Sequence, residues 1–292
     1  DHQTALLYPP HLHLTLLHRL AGNPPLSTLT KEWLVIAHFV LAVIFTFFFA
    51  RHVTKSVAGG VGAACVFGFG SYLTSYPLLQ FNIIEAVTWL PLALLFVTLA
   101  IEKRNAAYWS LAGAALALSL LAGHPQQSVY VYYTVAAYAV FLGLARAGGE
   151  GIGGVVGLVR GWLPVVGGLG LCFGLAVGLA AMQLLPSMEF ARVSTRATIS
   201  YDFASQGFGL REALGVLLPN AQGGKAMYVG VLPLFLAVRS LFCRASRRAV
   251  LFWLGTAIVA YVLAFGGELP LFRLVHAAVP GFATFRSQER AI

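Results

Sequence analysis

One long charge-free stretch constrains this chain more than any other feature. Residues 105–145 form a run of 41 that contains no Asp, Glu, Lys or Arg. About 20 apolar residues in a helix cross the 30 Å core of a bilayer, so this run is long enough for two crossings. Gly123 and Pro125 in its middle are typical of a tight reversal. The sequence therefore predicts a helical hairpin within a membrane.

The composition extends this prediction to the whole chain. Of the 292 residues 59% are hydrophobic and only 10% are charged, whereas soluble domains carry about 25% charged residues. The basic balance of 19 Lys and Arg against 10 Asp and Glu could suit nucleic acid. However, no Lys/Arg cluster lies in a polar stretch interleaved with aromatic residues, so a nucleic-acid partner is not predicted.

Further charge-free segments have the length of single spans. We predict an all-α fold, a polytopic transmembrane helix bundle with extracytoplasmic loops and interfacial helices. Residues 1–32 are predicted to be extracytoplasmic or interfacial, and the bundle to cover residues 33–267 with an outer loop at 187–226 and a tail at 268–292. The eight predicted spans are residues 33–50, 56–71, 86–101, 107–122, 128–145, 162–185, 227–242 and 249–267.

The charges of the connecting segments give these spans an orientation. Alternate short connections hold ten basic and two acidic residues, a net charge of +8, whereas the opposite connections hold a net charge of +1. By the positive-inside rule the first set is cytoplasmic. Six of the eight histidines and the long loop then lie on the extracytoplasmic side, where we expect the function.

Two candidate site elements flank the predicted outer ends of spans. His124 and Gln126 bring an imidazole and an amide to one turn, where they could bind a phosphate or a sugar hydroxyl; the alternative is a plain helix connection with polar capping. Glu85 precedes the third span. It could face a polar cavity or be an exposed interfacial carboxylate at a helix N-terminus, which the helix dipole favours.

Arginines supply a second group of candidates. Arg192 and Arg196 are four residues apart and share a face on a helix, and Glu189 could pair with Arg192. Two guanidiniums on one face suit a phosphate or pyrophosphate, although arginines at this depth also bind lipid head groups. Arg286 and Arg290 repeat this pattern near the end of the chain.

Metal and nucleotide chemistry find little support in the sequence. His11, His13 and His18 do not share one helical face and have no neighbouring carboxylate, so no metal site is predicted. No Walker-type loop, Gly-x-Ser-x-Gly or His-Glu-x-x-His motif occurs.

Several short motifs, taken in order, resemble the YfhO-type family of bacterial membrane proteins, a branch of the GT-C superfamily of glycosyltransferases. The motifs that carry the resemblance are Asp1-His2-Gln3 with Tyr8-Pro9, Thr88-Trp89-Leu90-Pro91, Gly123-His124-Pro125-Gln126, Gln183-Leu184-Leu185-Pro186 with Glu189 and Arg196, Tyr228-Val229-Gly230, and Phe285-Arg286 with Arg290. Gln288 stands where the family's last motif usually has a proline.

The resemblance implies a GT-C-like bundle in the bacterial cytoplasmic (inner) membrane with an extracytoplasmic active face. The implied reaction transfers a sugar from a polyprenyl-phosphate carrier to a cell-envelope glycopolymer or lipid acceptor, among membrane lipids. The family's catalytic acid, which serves as base or divalent-metal ligand, is expected upstream of Asp1, so we expect the chain to be an internal fragment. Glu85 is the candidate acid within it. His124, Gln126, Glu189, Arg192, Arg196, Arg286 and Arg290 are the expected substrate-binding residues.

Two other functions stay open at this point. A transporter or lipid flippase for envelope precursors would fit the glycine-rich spans, but it predicts ionisable groups deep in the bilayer. Only His38 falls inside a predicted span in that way. A structural or assembly subunit without chemistry is the third alternative.

Overall fold

The computed structural model is all-helical across the residues that it describes, as the apolar runs predict, with no strand among them. These residues are 5, 7–22, 28–75, 80–147, 155–194, 199–218, 228–243, 246–285 and 288–291. The α-helices are α1 (Pro9–Leu20), α2 (Thr28–Thr54), α3 (Val57–Phe69), α4 (Ser71–Ser75), α5 (Phe81–Val87), α6 (Leu90–Lys103), α7 (Ala106–Leu121), α8 (Pro125–Ala147), α9 (Val155–Val193), α10 (Tyr201–Ala204), α11 (Val231–Ser240), α12 (Arg247–Ala264) and α13 (Leu271–Ala278). Short 3₁₀ helices occupy Leu210–Val216, Gly266–Glu268 and Gln288–Ala291.

Six helical stretches in the described part of the chain are long and apolar enough to cross a membrane. They are Leu29–Thr54, Val57–Thr74, Phe81–Lys103, Pro125–Arg146, Gly161–Val193 and Arg247–Ala264. The helices Ala106–Leu121 and Val231–Ser240 are apolar but shorter. Each of the eight predicted spans overlaps a helix of the structure, and two of these helices, α7 and α11, are below the usual spanning length. The number and bounds of the spans stay a prediction.

Some helix ends differ from the predicted span boundaries. Helix α9 does not end at Pro186 but continues to Val193, so the predicted outer loop at 187–226 begins as helix. A proline removes only one intrahelical hydrogen bond and is tolerated in helices within membranes. The third predicted span consists of two helices, because the chain breaks at Thr88 and Trp89 between α5 and α6.

The chain forms two compact units, of which the first comprises residues 1–68 and 80–187. Its centre is α6, which packs against α2, α7 and α8. The buried faces consist largely of small and branched residues such as Ala93, Val97, Ala112 and Val135. Small side chains allow membrane helices to approach closely, and van der Waals contact then stabilises the packing.

The second unit comprises residues 69–79 and 188–292. Its core includes Phe208, Ala264 and Phe265. Gln288 is fully buried there, and its side-chain amide donates hydrogen bonds to the carbonyl oxygens of Ala204 and Phe285 at 3.0 and 2.9 Å. Its backbone N–H also donates to the Gln206 oxygen at 2.8 Å. A proline, as in the family motif, has no N–H to make this bond.

Candidate active site

A buried polar cluster lies in the first unit where α1 meets α2 and α5. We call Tyr8, His11, His38, Glu85 and Trp89 the polar cluster. Tyr8 is the N-cap residue of α1, and Pro9 and Pro10 begin the helix, where proline's fixed φ and missing N–H cost nothing. His11 therefore lies in the first helical turn, close to Tyr8 along the chain.

Glu85 is the acidic residue of this cluster. Its side chain is completely buried, and Oε1 lies 2.6 Å from Nε2 of His11. Ionised carboxylates are rarely buried without a partner because desolvation is costly, and a contact this short is typical of a charge-assisted hydrogen bond. Oε2 is also buried and has no hydrogen-bond partner among the described residues. The structure therefore rules out the exposed interfacial carboxylate and agrees with a Glu85 that faces the interior.

His11 is the member of the pair that solvent reaches. Its side chain is 19% exposed, against 0% for Glu85. The ring also packs edge-on against Tyr8, with 5.3 Å between the ring centroids, and lies beside Phe81. The arrangement is that of a carboxylate that orients an accessible imidazole.

A hydrogen-bonded chain of fixed direction fastens α1 to α2. Trp89 donates its indole N–H to the Tyr8 oxygen at 2.9 Å, and the Tyr8 hydroxyl lies 2.7 Å from Nε2 of His38. Nδ1 of His38 lies 2.7 Å from the Leu34 carbonyl oxygen, which can only accept. Nδ1 therefore carries the hydrogen, and in a neutral imidazole Nε2 then accepts the hydrogen bond from the Tyr8 hydroxyl.

The environment of Tyr8 favours the neutral phenol. Burial raises the pKa of Tyr8 well above its ordinary value, the hydrogen bond from Trp89 lowers it, and the charge of Glu85 raises it. The burial effect is the largest of the three, so the pKa of the phenol is raised overall. Tyr8 is thus a hydrogen-bond donor to His38 at any ordinary pH.

The turn between α7 and α8 supports the start of α1. Gly123 has a φ of +79°, and a Cβ built on it would lie 3.0 Å from the backbone nitrogen of Ala5. Ala5 and Tyr8 share an apolar cluster with Leu121, Ala122 and other residues. A glycine is required here both by the positive φ and by the close approach of the two backbones.

His124 is buried within that same turn, and Gln126 is buried in the first turn of α8. Nδ1 of His124 accepts a hydrogen bond from the backbone N–H of Gln127 at 3.2 Å, which caps the start of α8. Gln126 donates its amide to the Tyr130 hydroxyl at 2.9 Å. Their exposed fractions are 2% and 4%. These contacts agree with the capped helix connection, and contact of either side chain with a substrate stays a prediction.

The predicted phosphate-binding residues belong to the second unit. Glu189 and Arg192 are exposed in the last turns of α9, and no described residue forms an ion pair with either of them. The proposed Glu189–Arg192 pairing is therefore not formed. Arg290 is half-buried, and its carbonyl oxygen accepts a hydrogen bond from Tyr72. Arg196 and Arg286 lie outside the described residues.

An apolar groove lies along α1 and α2. It has a volume of about 400 Å³ and is lined by Pro10, His13, Trp33 and Ala37, among others. Pro10 and Ala37 adjoin His11 and His38 in the chain. The groove therefore offers an apolar surface along the helices that carry the two histidines.

The sequence pointed to Glu85 but missed its partners. From its spacing alone, His11 groups with His13 and His18 and not with Glu85. The residues that the structure describes include no group of three or more His, Cys, Asp or Glu suited to a metal ion. The sequence signal for Glu85 is that it is the one acidic residue in the largely apolar stretch that precedes Glu102. Glu85 also lies in the helical stretch Phe81–Lys103, so His38 is not the only ionisable residue within such a stretch.

Comparison of the chain with protein-family models, with curated proteins and with solved structures finds no match. The resemblance to the YfhO-type family therefore stays a prediction from the sequence motifs.

Proposed function

We propose that the protein is a membrane glycosyltransferase that moves a sugar from a polyprenyl-phosphate carrier to an extracytoplasmic cell-envelope acceptor. The observation that carries this proposal is the pair formed by the buried Glu85 carboxylate and the partly exposed His11 imidazole. Membrane proteins seldom bury an ionisable pair without a functional reason, because its desolvation is costly.

The contact between Glu85 and His11 supports a role for the pair as general base. In sugar transfer an acceptor hydroxyl attacks the anomeric carbon, the glycosyl–phosphate bond breaks, and the carrier phosphate leaves with the bonding electrons. The hydroxyl proton passes to His11, whose Nε2 faces Glu85 and whose Nδ1 is the nitrogen left to accept it. Glu85 orients the ring and stabilises the imidazolium that forms, as the carboxylate does in a Ser-His-Asp triad.

The groove between α1 and α2 supports a lipid-borne donor. Its lining is mainly apolar, as an isoprenoid chain would require, and the energy of burying such a chain scales with the apolar area removed from water. The donor already carries a phosphate leaving group, so the reaction needs no nucleotide. Arg192, Arg196, Arg286 and Arg290 stay the predicted phosphate ligands.

A second pair in the chain provides a matched control for the test. Nε2 of His52 lies 2.8 Å from Oε2 of Glu102, and both side chains are exposed to a larger extent than His11 and Glu85. The purified protein in vesicles would receive radiolabelled polyprenyl-phosphate sugars and an envelope extract as acceptor. E85Q and H11Q are expected to reduce kcat by about 10²- to 10⁴-fold, the usual contribution of a general base. E102Q and H52Q are expected to keep the wild-type rate.

The outcome can contradict the proposal in two ways. If E85Q and H11Q transfer sugar at the wild-type rate, the Glu85–His11 pair takes no part in the mechanism. The assay conditions are those in which a known GT-C enzyme is active. If the wild-type protein then transfers none of the lipid-linked sugars tested, the proposed glycosyltransferase activity is wrong.

The position of Glu85 also favours a second candidate, a transporter or lipid flippase for envelope precursors. Glu85 and His38 are both buried in helical stretches long enough to span a membrane, and ionisable residues in such positions often couple transport to protons. Vesicles with a fluorescent lipid-linked sugar distinguish the candidates. Transport is supported if the fluorescent donor becomes accessible to a reagent on the opposite leaflet and no glycosylated product forms. Sugar transfer is supported if a new glycosylated product forms.

A further inference from the structure

A short 3₁₀ helix, Leu210–Val216, is fastened to the end of α12 in the second unit. Ala213 and Val216 are three residues apart and therefore share a face of this helix. Both pack against the apolar cluster that contains Ala264, the last residue of α12. The backbone N–H of Phe208 also donates a hydrogen bond to the Ala264 oxygen at 2.8 Å. These contacts hold the 3₁₀ helix at the level where α12 ends.

Helix α13 lies close to the same end of α12, because only residues 265–270 separate the two helices. Phe272 of α13 is buried, and its ring lies 6.1 Å from the ring of Tyr201. His276, one turn further along α13, packs edge-on against the same tyrosine at 5.2 Å between the ring centroids. The side of α13 that carries Phe272 and His276 is therefore held by the protein.

Both helices also carry leucines that the protein does not cover. We call Leu214, Leu217, Leu271 and Leu274 the outer leucines, and their exposed fractions lie between 47% and 67%. Single exposed leucines are ordinary on a protein surface. Short helices that are anchored on one side and carry several exposed leucines on another are instead typical of elements that lie on a membrane.

The length of α12 sets the depth of the outer leucines. Its 18 residues extend about 27 Å at 1.5 Å per residue, close to the 30 Å thickness of the hydrocarbon core of a bilayer. If α12 crosses the membrane, Arg247 and Ala264 at its two ends lie near the two boundaries of that core. The 3₁₀ helix and α13 then lie at the level of the lipid head groups, next to acyl chains.

We propose that the outer leucines insert into the leaflet at the Ala264 end of α12, so that the 3₁₀ helix and α13 are interfacial helices. The positive-inside rule predicts this leaflet to be the extracytoplasmic one, since Arg247 and Arg248 begin α12. The partner is the boundary between head groups and acyl chains, because the inserted side chains are apolar. The inference depends on α12 crossing the membrane and is independent of the proposed glycosyltransferase activity.

Spin labelling of the full chain in phosphatidylcholine vesicles measures the depth of the outer leucines. Cys65 and Cys243 are exposed and are changed to alanine, whereas Cys172 is buried and is retained. L214C and L274C are then made one at a time and labelled with a nitroxide. Collisions of each label with oxygen, which concentrates in lipid, and with a water-soluble nickel chelate report its surroundings.

Two further positions serve as references for these collisions. Ile258 is exposed within α12, and Glu268 is an exposed acidic residue beyond its end. Labels at L214C and L274C are expected to collide more often with oxygen than with nickel, at a depth between those of I258C and E268C. Nickel collisions as frequent as at E268C would place the leucines in water and overturn the proposal. Few collisions with either reagent would mean that a protein surface, such as a second copy of the chain, covers them, and would also overturn it.

Hydrogen exchange of the α13 amides in lipid nanodiscs provides a second criterion that needs no label. L271S/L274S removes both outer leucines of α13, whereas A277S changes an exposed alanine of the same helix with little loss of apolar area. Exchange is expected to rise about 30-fold in L271S/L274S, which corresponds to about 2 kcal/mol. In A277S it is expected to rise no more than about threefold. Equal exchange rates in the two variants would overturn the insertion of α13.

Discussion

The hydrogen-bonded chain from Trp89 through Tyr8 to His38 leads to a quantitative stability prediction for Y8F. The substitution removes one oxygen and leaves the ring, so the packing of the α1 entry turn is retained. Two partners then lose their bonds: Nε2 of His38, whose side chain is 1% exposed, and the indole N–H of Trp89, which is partly buried. The perturbation is therefore confined to hydrogen bonding.

Two estimates bound the cost of Y8F. A buried polar atom left without a partner costs about 1–3 kcal/mol, and the partly buried indole adds about 0.5–1.5 kcal/mol for a lost bond. Hydrogen bonds within membrane proteins average only about 0.6 kcal/mol each, because the unfolded chain finds other partners. Since Tyr8 precedes the first predicted span and His38 is enclosed by protein, the larger estimate applies. We expect a loss of about 2–3 kcal/mol in the free energy of unfolding.

The assay is unfolding of the full chain in mixed dodecylmaltoside–SDS micelles, followed by circular dichroism. Y108F is the control, because the Tyr108 hydroxyl accepts a hydrogen bond from Lys103 at the surface, and its loss is expected to cost less than about 0.5 kcal/mol. A double-mutant cycle with H38L adds a second criterion. If Y8F costs no more than Y108F, or if Y8F and H38L are additive, the hydrogen-bonded chain does not stabilise the protein.

Three further predictions address other features. Because burial raises the pKa of Tyr8 in the folded state, the wild-type free energy of unfolding is expected to decrease above pH 10 relative to Y8F, by up to about 1.4 kcal/mol per pH unit; equal pH dependence in a denaturation series from pH 9 to 11.5 would contradict this. G168A is expected to destabilise the protein by about 1–3 kcal/mol through overpacking against Trp109, whereas G170A, with open space at its Cβ, is expected to be neutral or stabilising in the same assay. Gly123 has a φ of +79°, and a Cβ there would contact backbone, so G123A is expected to lower the free energy of unfolding by at least about 1 kcal/mol. A melting temperature equal to that of the wild type would refute this.

The helices could be predicted from the sequence because membranes impose a simple rule on it. A span requires an uninterrupted apolar run, and residues 33–50 and 128–145 both lie within helices of the structure. The helix ends were less predictable. Pro186 has the sequence signature of a helix end, but a proline removes only one intrahelical hydrogen bond and kinks a helix without having to end it, and α9 runs on to Val193.

The polar cluster could be predicted only in part. Glu85 stands out as a lone acidic residue in an apolar stretch, but its partner His11 is 74 residues away, and nothing in a single sequence indicates that α1 docks on α5. The sequence predicts a binding role for His124 from its chemistry, whereas the structure shows its Nδ1 accepting a backbone hydrogen bond at the start of α8. Sequence reasoning identifies unusual residues well and identifies long-range partners poorly.

The direction of the hydrogen bonds around Tyr8 has a consequence for proton movement. A proton wire requires every member to accept a proton from one side, release one to the other and then reset. The indole of Trp89 only donates, and Nδ1 of His38 is engaged with the Leu34 oxygen, so this series begins and ends at groups that cannot relay. The series of Trp89, Tyr8 and His38 therefore holds α1 against α2 without forming a proton wire of its own.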